Sequence, residues 1–446
     1  MLKINLPNNV NEIIRKLDEY GYEAYAVGGC VRDSILGVSP DDWDITTSAL
    51  PGQVKKLFKK TVDTGLKHGT VTVFINQIPY EVTTYRIDGV YEDHRKPMDV
   101  EFTLEVVEDL RRRDFTMNAM AYNEKNGLVD VYFGIEDIKR QIVRCVGSPS
   151  ERFNEDALRM LRAIRFCAKL GFEMDEATEA AIIQCAPLIE KISGERIHME
   201  MTKILISNNP HFIEKLTSLG LMAYIIPEFM KNVGVEQHNK HHIYTVDNHI
   251  YEAIKNVEAS ETLRWTLLLH DIGKGYCKTI DDEGVGHFYN HPKLSVIIAK
   301  EVLNRLRFDN KTISDILKLI EHHDYRIEAD MKQVRTAINK IGEELFEEYI
   351  KVQRADIRAQ NPAYMEEHLT RLDEILVCYR EIIESRQCTS LKDLQINGKD
   401  LTDLGLPQGK TIGLILNQLL EMVIEEPGHN NRDWLLNRAL QLNKEN

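Results

Sequence analysis

The sequence predicts an α+β protein, with a strand-rich first third and a helical remainder. Gly69-Thr70-Val71-Thr72-Val73-Phe74-Ile75 alternates apolar and polar residues, and Tyr80-Glu81-Val82-Thr83-Thr84-Tyr85 resumes the alternation after Asn76-Gln77, which is the pattern of a hairpin. Tyr25-Ala26-Val27 reads as a short buried strand running into a Gly28-Gly29 turn. From Gly171 onward the period changes to that of helices, as in Phe212 to Leu221. With 446 residues, 43% hydrophobic and 28% charged, the chain has room for two to four soluble domains.

Charge and cysteine usage narrow the function classes. A net charge of -14 argues against a general nucleic-acid coat, but Lys55-Lys56 with Lys59-Lys60, Arg111-Arg112-Arg113, and Lys139-Arg140 with Arg144 leave room for local basic surfaces. Seven cysteines, an odd number without a C-x-x-C pair, read as reduced buried thiols. No apolar run reaches the roughly 18 residues of a membrane span, and the first residues lack signal-peptide design, so the expected compartment is the cytoplasm.

Along the chain, Val10 to Leu17 has helix spacing and ends near Gly21. Val31 to Gly37, after the glycine pair, looks like one or two helical turns. Backbone N–H groups at such a turn suit phosphate, and Arg32 can add a charged fork. In a strand, Asp42 and Asp44 point to the same face while Trp43 and Ile45 point to the other. Two adjacent carboxylates repel unless a cation lies between them, which favours divalent metal with oxygen ligands. Glu81, mid-strand, is either a third carboxylate of that site or an ordinary exposed strand residue. Arg86 to Pro97 is polar and densely charged, and reads as a mobile loop beside the site.

Three further motifs follow: Asp109-Leu110-Arg111-Arg112-Arg113-Asp114-Phe115-Thr116-Met117-Asn118, then Asp130 to Asp137, then Glu151 to Phe166 with Glu155-Asp156-Ala157-Leu158-Arg159 at its centre. Treated as one helix from Glu155, Asp156 and Arg159 fall on one side and Ala157, Leu158, Leu161, Ile164 and Ala168 on the other. An acid and a guanidinium projecting together suit the Watson-Crick edge of a base, and equally an ordinary i, i+3 surface pair. Arg165 falls among the apolar residues and is expected to be paired or at a domain boundary.

With Gly28-Gly29-Cys30-Val31-Arg32-Asp33 and Asp42-Trp43-Asp44 in order before them, these motifs resemble the class II tRNA nucleotidyltransferases, the CCA-adding enzymes and bacterial poly(A) polymerases. The resemblance implies a polymerase-beta-like nucleotidyltransferase head with a small mixed sheet, followed by helical neck, body and tail. It implies that Asp42 and Asp44, with Glu81 as the candidate third acid, serve Mg²⁺ at the catalytic site. Gly28, Gly29 and Arg32 match its triphosphate cradle. Arg113, Asp114 and Asn118 match its ribose and nucleotide motif, and Glu155, Asp156 and Arg159, with Arg162 beyond them, match its amino-acid template. Glu195-Arg196-Ile197 resembles its supporting neck motif. Asp41 stands where a basic residue is common in the family, and strand parity favours Asp42 with Asp44 as the metal pair. The implied partners are tRNA, CTP and ATP, without DNA or membrane, in a monomer or homodimer. A full-length loop from Ile87 to Glu101, with Glu92, Asp93 and Arg95 as a possible lever, favours complete CCA addition over CC addition. A-only addition and poly(A) synthesis remain the rivals within the class.

Nine histidines crowd the middle of the chain: His238, His241, His242, His249, His270, His287, His291, His322 and His323. His270-Asp271 at the end of an apolar helix resembles the HD superfamily of metal-dependent phosphohydrolases. By that resemblance His249, His270, Asp271 and Asp356 bind a metal, and His291 and His323 are available to a second. Imidazole with carboxylate suits Mn²⁺, Ni²⁺ or Co²⁺ better than Mg²⁺. The implied activity is hydrolysis of a phosphoester, such as an RNA 2',3'-cyclic phosphate, and it makes an HD phosphohydrolase the rival from another class. The expected divisions are a head over 1–146, a base-selecting neck over 147–235, an HD domain over 236–365 and a tRNA-gripping tail over 366–446. In the tail, Ile412, Ile415, Leu416 and Leu419 share one helical face.

Overall fold

A computed structural model describes residues 3–89, 91–92, 96–97, 99–407 and 409–445. The chain divides into two compact units, Met1–Met230 and Lys231–Asn446.

The first unit is organised on a seven-stranded mixed sheet. Its strands are β1 (Ala24–Val27), β2 (Ile45–Thr47), β3 (Thr61–Gly65), β4 (Thr70–Ile75), β5 (Ile78–Thr84), β6 (Ala121–Asn123) and β7 (Gly127–Val129), in the spatial order β7-β6-β1-β2-β5-β4-β3. All neighbours are antiparallel except β2 and β5. The expected hairpin is β4 and β5. Its turn is Asn76-Gln77, both at positive φ, as a two-residue hairpin loop requires, and Ile75 pairs with Ile78. Helix α1 (Asn8–Glu19) buries Val10, Ile13, Ile14 and Leu17, the i, i+3, i+4, i+7 stripe read from the sequence. Tyr25, Val27, Tyr85, Leu110, Ala119 and Ala121 form a core cluster in this unit.

Three local expectations are corrected. Asp42 to Asp44 are not strand residues; they lead into β2, which begins at Ile45. The 155–168 segment is not one helix, because Asp156 adopts extended geometry (φ -137°, ψ 104°) between Pro149–Glu155 and Leu158–Leu170. The Asp156 Oδ1 accepts the Leu158 N–H at 3.1 Å and so satisfies an otherwise unpaired donor at the start of the second helix. The 86–97 stretch, read as a loop, contains paired strands: Arg86–Asp88 with Val100–Phe102, and Tyr91–Glu92 with Lys96–Pro97. Asp93, Arg95 and the Glu92 side chain lie outside the described residues.

Among the described residues, the second unit is helical apart from a two-stranded ribbon, Thr279–Ile280 with Gly286–His287. The helix Glu261–Leu269 is buried on all sides, through Leu263, Trp265, Leu267, Leu268 and Leu269 and even Arg264 and Thr266, and therefore sits at the centre of its bundle. Val246–Lys255, Asn310–His322 and Glu343–Arg358 pack around it. A separate cluster of Leu401, Ile415, Leu419, Val423, Leu435 and Ala439, with Ile412 and Leu416 packed against it, holds the C-terminal helices, so the expected shared face is apolar and inward. In the first unit, Phe212 to Leu221, expected as one helix, is divided into a 3-10 turn, Pro210–Glu214, and a short helix, Lys215–Ser218, with Gly220 at φ 79° stopping it. Among the described residues, no helix is long and apolar enough to cross a membrane.

Candidate active site

Strand adjacency assembles the first site. β1 and β2 are antiparallel, so the end of β1 lies beside the entry to β2, and Val27 donates its N–H to the Asp44 carbonyl at 3.0 Å. β5 is parallel to β2 with Val82 opposite Ile45, so Glu81 and Asp44 each lie one residue before that pair. The Glu81 carboxyl is pushed up by burial and by the charges of Asp44 and Asp42. Asp44 is also raised, by burial first, with Arg113 opposing and Asp42 adding to the shift. Asp44 and Glu81 therefore both feel the charge of Asp42, and Arg113 is the cation that acts on Asp44.

Gly28 closes this arrangement. It sits at φ 82°, and a Cβ there would lie 3.0 Å from the Arg113 guanidinium, so a larger residue would be strained and would press on that side chain. Arg113 is held from behind by Asp109, at 3.3 Å, which also accepts from Arg112 at 2.8 Å and from the Thr46 hydroxyl at 3.1 Å. Burial raises the Asp109 carboxyl, but Arg112 and Arg113 outweigh it and the net direction is down. Sequence reasoning assigned Asp109 no role. Its spacing, three and four residues before the two arginines that follow the helix Val106–Arg111, was the available signal.

Arg32 is not an open fork. It is 3% exposed and donates Nε to Asp33 at 2.8 Å and Nη1 to the Asn118 side-chain oxygen at 2.6 Å. Asn118 donates on to Asp114 at 3.2 Å, and Asp114 accepts from Arg162 Nε at 2.8 Å and Nη2 at 2.5 Å. Arg32, Arg162 and Arg165 all lie against the Phe166 ring, at 5.1, 5.6 and 4.3 Å from its centroid. The line Arg32–Asn118–Asp114–Arg162 thus ties the glycine turn to the helix Leu158–Leu170. Arg165, as expected, is paired, with Glu200 at 2.9 Å.

Burial raises the Asp114 carboxyl, but Arg162, Arg159 and the hydrogen bonds overcome it and hold it well below the usual carboxylate range. A depressed pKa stabilises the fold above the unfolded value, about 3.9, and that contribution is lost as pH falls through and below it. Arg162→Met should cost about 2–3 kcal/mol at neutral pH, less than a fully enclosed pair because solvent reaches Arg162. In urea titrations, the difference from the parent protein should shrink as pH is lowered from about 5 to about 3. A difference constant over that range would show that Asp114 does not carry it.

The two base-reading candidates are held by different partners. Arg159 donates Nη1 to Glu155 at 2.6 Å and Nη2 to the Arg112 carbonyl at 3.0 Å. Asp156 Oδ2 accepts from Arg196 Nη2 at 3.1 Å. Burial pushes Glu155 up, against the pull of Arg159 and Arg152. The sequence placed Asp156 and Arg159 on one face; the structure holds each by its own neighbour instead.

The second unit brings together all six of its expected ligands. His249 Nε2 lies 2.8 Å from Asp356 Oδ1 and 3.4 Å from Asp271 Oδ2, and His270 Nε2 lies 3.3 Å from Asp271 Oδ2. His291 and His323 face the other oxygen, Asp271 Oδ1, at 3.3 and 3.5 Å. Each imidazole is anchored through Nδ1 by a backbone carbonyl: His249 by Ala359, His270 by Leu267, His291 by Phe288 and His323 by Ile320. With Nδ1 held by a carbonyl, each ring turns Nε2 toward the carboxylates of Asp271 and Asp356, and His291 Nε2 lies 3.1 Å from His323 Nε2. His249 Nε2, His270 Nε2 and Asp271 Oδ1 are buried without a hydrogen-bond partner. Burial opposes protonation of His270, yet Asp271 and Asp356 raise its imidazole to about 10, a measure of the negative potential there. Two residues not expected from sequence complete the shell: Lys274 contacts Asp271 Oδ2 at 2.7 Å and Gln237 at 3.1 Å. Among the described residues, the groups of three or more candidate ligands lying within 4.8 Å of one another are both here: His249, His270 and Asp271, and Asp271, His291 and His323.

Comparison with known proteins places the chain. Residues 24–144 match the model of the poly A polymerase head domain, 171–232 that of a probable RNA and SrmB-binding site of polymerase A, and 292–439 that of a putative tRNA nucleotidyltransferase domain 2. The class is therefore that of the nucleotidyltransferases. A CCA-adding enzyme of Limosilactobacillus reuteri is 34% identical over 447 residues, covering 97% of this chain and 96% of that protein. One from Geobacillus kaustophilus is 53% identical over 216 residues, 48% of this chain and 53% of its own. The crystal structure of the Bacillus stearothermophilus CCA-adding enzyme in complex with CTP is 30% identical, with a TM-score of 0.72 and 98% of both chains covered. The chain belongs to the CCA-adding enzyme family. That membership implies a divalent metal ion at the transfer site.

Proposed function

We propose that the first unit adds C, C and A to the 3' end of tRNA from CTP and ATP, without a nucleic-acid template and with release of pyrophosphate. The carrying observation is the match to CCA-adding enzymes over nearly the whole chain. In this reading Asp42 and Asp44 hold Mg²⁺, and Glu81 shares their field. The donor set is all carboxylate oxygen, which fits a hard cation. Mg²⁺ bound there would lower the barrier to forming the attacking oxyanion and offset charge on the leaving pyrophosphate. The chain's own residues do the rest. Arg113, fixed by Asp109 and pressed toward Gly28, offers its charge to the triphosphate. Arg32, Asn118, Asp114 and Arg162 keep the glycine turn and the base-selecting helix in register. Gly29 lets the chain pass close by, and Asp156 and Arg159, with Glu155 behind, read the base. The deciding experiment offers tRNA ending before C, tRNA ending in CC and an unrelated RNA, each with all four NTPs. Addition of C, C and A to the first and A to the second supports the reading. Extension of the unrelated RNA by A would favour poly(A) synthesis, and failure to add C would favour A-only addition.

A second reading is favoured by one observation, the four imidazole Nε2 atoms that converge on Asp271 and Asp356 in the other unit. His249, His270, Asp271 and Asp356 would hold one transition-metal ion such as Mn²⁺, Ni²⁺ or Co²⁺, and Asp271, His291 and His323 a second, giving an HD-type phosphohydrolase. His270→Ala with Asp271→Ala should remove the metal, read by elemental analysis, and leave CTP and ATP incorporation within about threefold of the parent. Loss of incorporation in a folded variant would show that this centre serves nucleotide addition.

A further inference from the structure

The pocket over the second centre carries a feature that metal binding does not use. It is a cavity of about 850 Å³, reaching Asp271, His291, His323 and Asp356 at its floor. This falls within the size range of small-ligand sites. Lys240 and Arg326 line it and add positive charge. His287 and Tyr289 line the same pocket, with rings parallel (6°) and centroids 5.2 Å apart. His287 is held by Asp281 at 2.7 Å. Tyr289 nevertheless leaves 67% of its surface exposed. An exposed aromatic face in a pocket that also holds candidate metal ligands and the cations Lys240 and Arg326 suits a ligand with phosphate at one end and a flat ring at the other.

We propose that this pocket takes the terminal phosphate of a single nucleotide, its phosphate directed to the metal cluster and its base stacked on the outer face of Tyr289. The proposal rests on the phosphohydrolase reading of the centre. The step it serves is hydrolysis of a phosphomonoester. A water oxygen bonds to phosphorus as the ester P–O bond breaks, a proton passes to the departing oxygen, and nucleoside and inorganic phosphate result without redox change. The nucleotide is either free in solution or the end of an RNA.

The test is calorimetric binding to full-length protein loaded with Mn²⁺, with metal content measured on the same samples. The probes are adenosine 3'-monophosphate, glycerol phosphate as a ligand without a base, and a short RNA ending in a 3'-phosphate. Heat that survives His270→Ala belongs elsewhere and is subtracted. The parent should bind the nucleotide about 10- to 100-fold more tightly than glycerol phosphate. Tyr289→Ala should erase that preference while leaving glycerol phosphate binding and metal content unchanged, and Tyr289→Phe should restore it. The proposal is confirmed for an RNA end if the RNA binds more tightly with the same Tyr289 dependence, and for a free nucleotide if it does not. If metal is bound but Tyr289→Ala leaves the preference intact, or no preference exists, the base platform is wrong. If no metal is bound, the phosphohydrolase reading itself fails and the proposal with it.

Discussion

Replacing Asp42 and Asp44 together by alanine is expected to lower incorporation of labelled CTP and ATP into tRNA lacking its CCA end by at least about 10³-fold, since several kcal/mol of transition-state stabilisation depend on metal at that site. The fold should survive, because both residues precede β2 and alanine keeps the Asp44 carbonyl that accepts the Val27 N–H. Circular dichroism and urea titration should therefore match the parent while single-turnover incorporation disappears. Nucleotide affinity should fall much less than rate, because Arg113 and the glycine turn are untouched. Activity within tenfold of the parent would sink the assignment of the metal to this pair. Glu81→Gln tests the third acid: it removes one charge from the shared field and should reduce the rate by less than the double variant does.

The second large effect concerns base choice. Cytosine and adenine both present an exocyclic amino donor where uracil and guanine present a keto oxygen. A carboxylate at Asp156 accepts from the first pair and repels the second. Asp156→Asn should narrow the preference for CTP over UTP by about 10- to 100-fold, the range expected for losing one well-placed pairing. Asparagine can turn its amide to donate to a keto group and keeps an oxygen for the Leu158 N–H that Asp156 now receives at 3.1 Å. The variant should therefore fold normally, and the change should be visible in kcat/KM for the four triphosphates measured on one tRNA. Equal losses for all four would assign Asp156 to positioning the helix rather than reading the base. Arg196, which holds the other Asp156 oxygen at 3.1 Å, links these roles.

How far the sequence could be read follows from the range of the interactions involved. The β4–β5 hairpin, α1 and the α+β division were legible because they rest on local periodicity and on turn chemistry at Asn76-Gln77. The six residues of the second centre were picked out by their resemblance to the HD pattern, and the packing of the helices brings them together. The break at Asp156 was not, since Ala157, Leu158 and Leu161 keep helical period across it. A side-chain acceptor that starts a new helix is indistinguishable from a helix-surface acid until the backbone turns.

The sequence by itself determined the class of chemistry of the first unit, through the ordered motifs in which it resembles the nucleotidyltransferases, and it singled out the histidine-rich stretch of the second. Only the tertiary structure decided who holds whom. Arg32 is closed beneath the turn by Asp33 and Asn118, Arg113 is presented by Asp109, and Asp156 is shared with Arg196. These partners lie from 1 to 86 residues apart in the chain. The long-range ones are set by which strands lie side by side and which helices cross, and no local pattern in the chain encodes that.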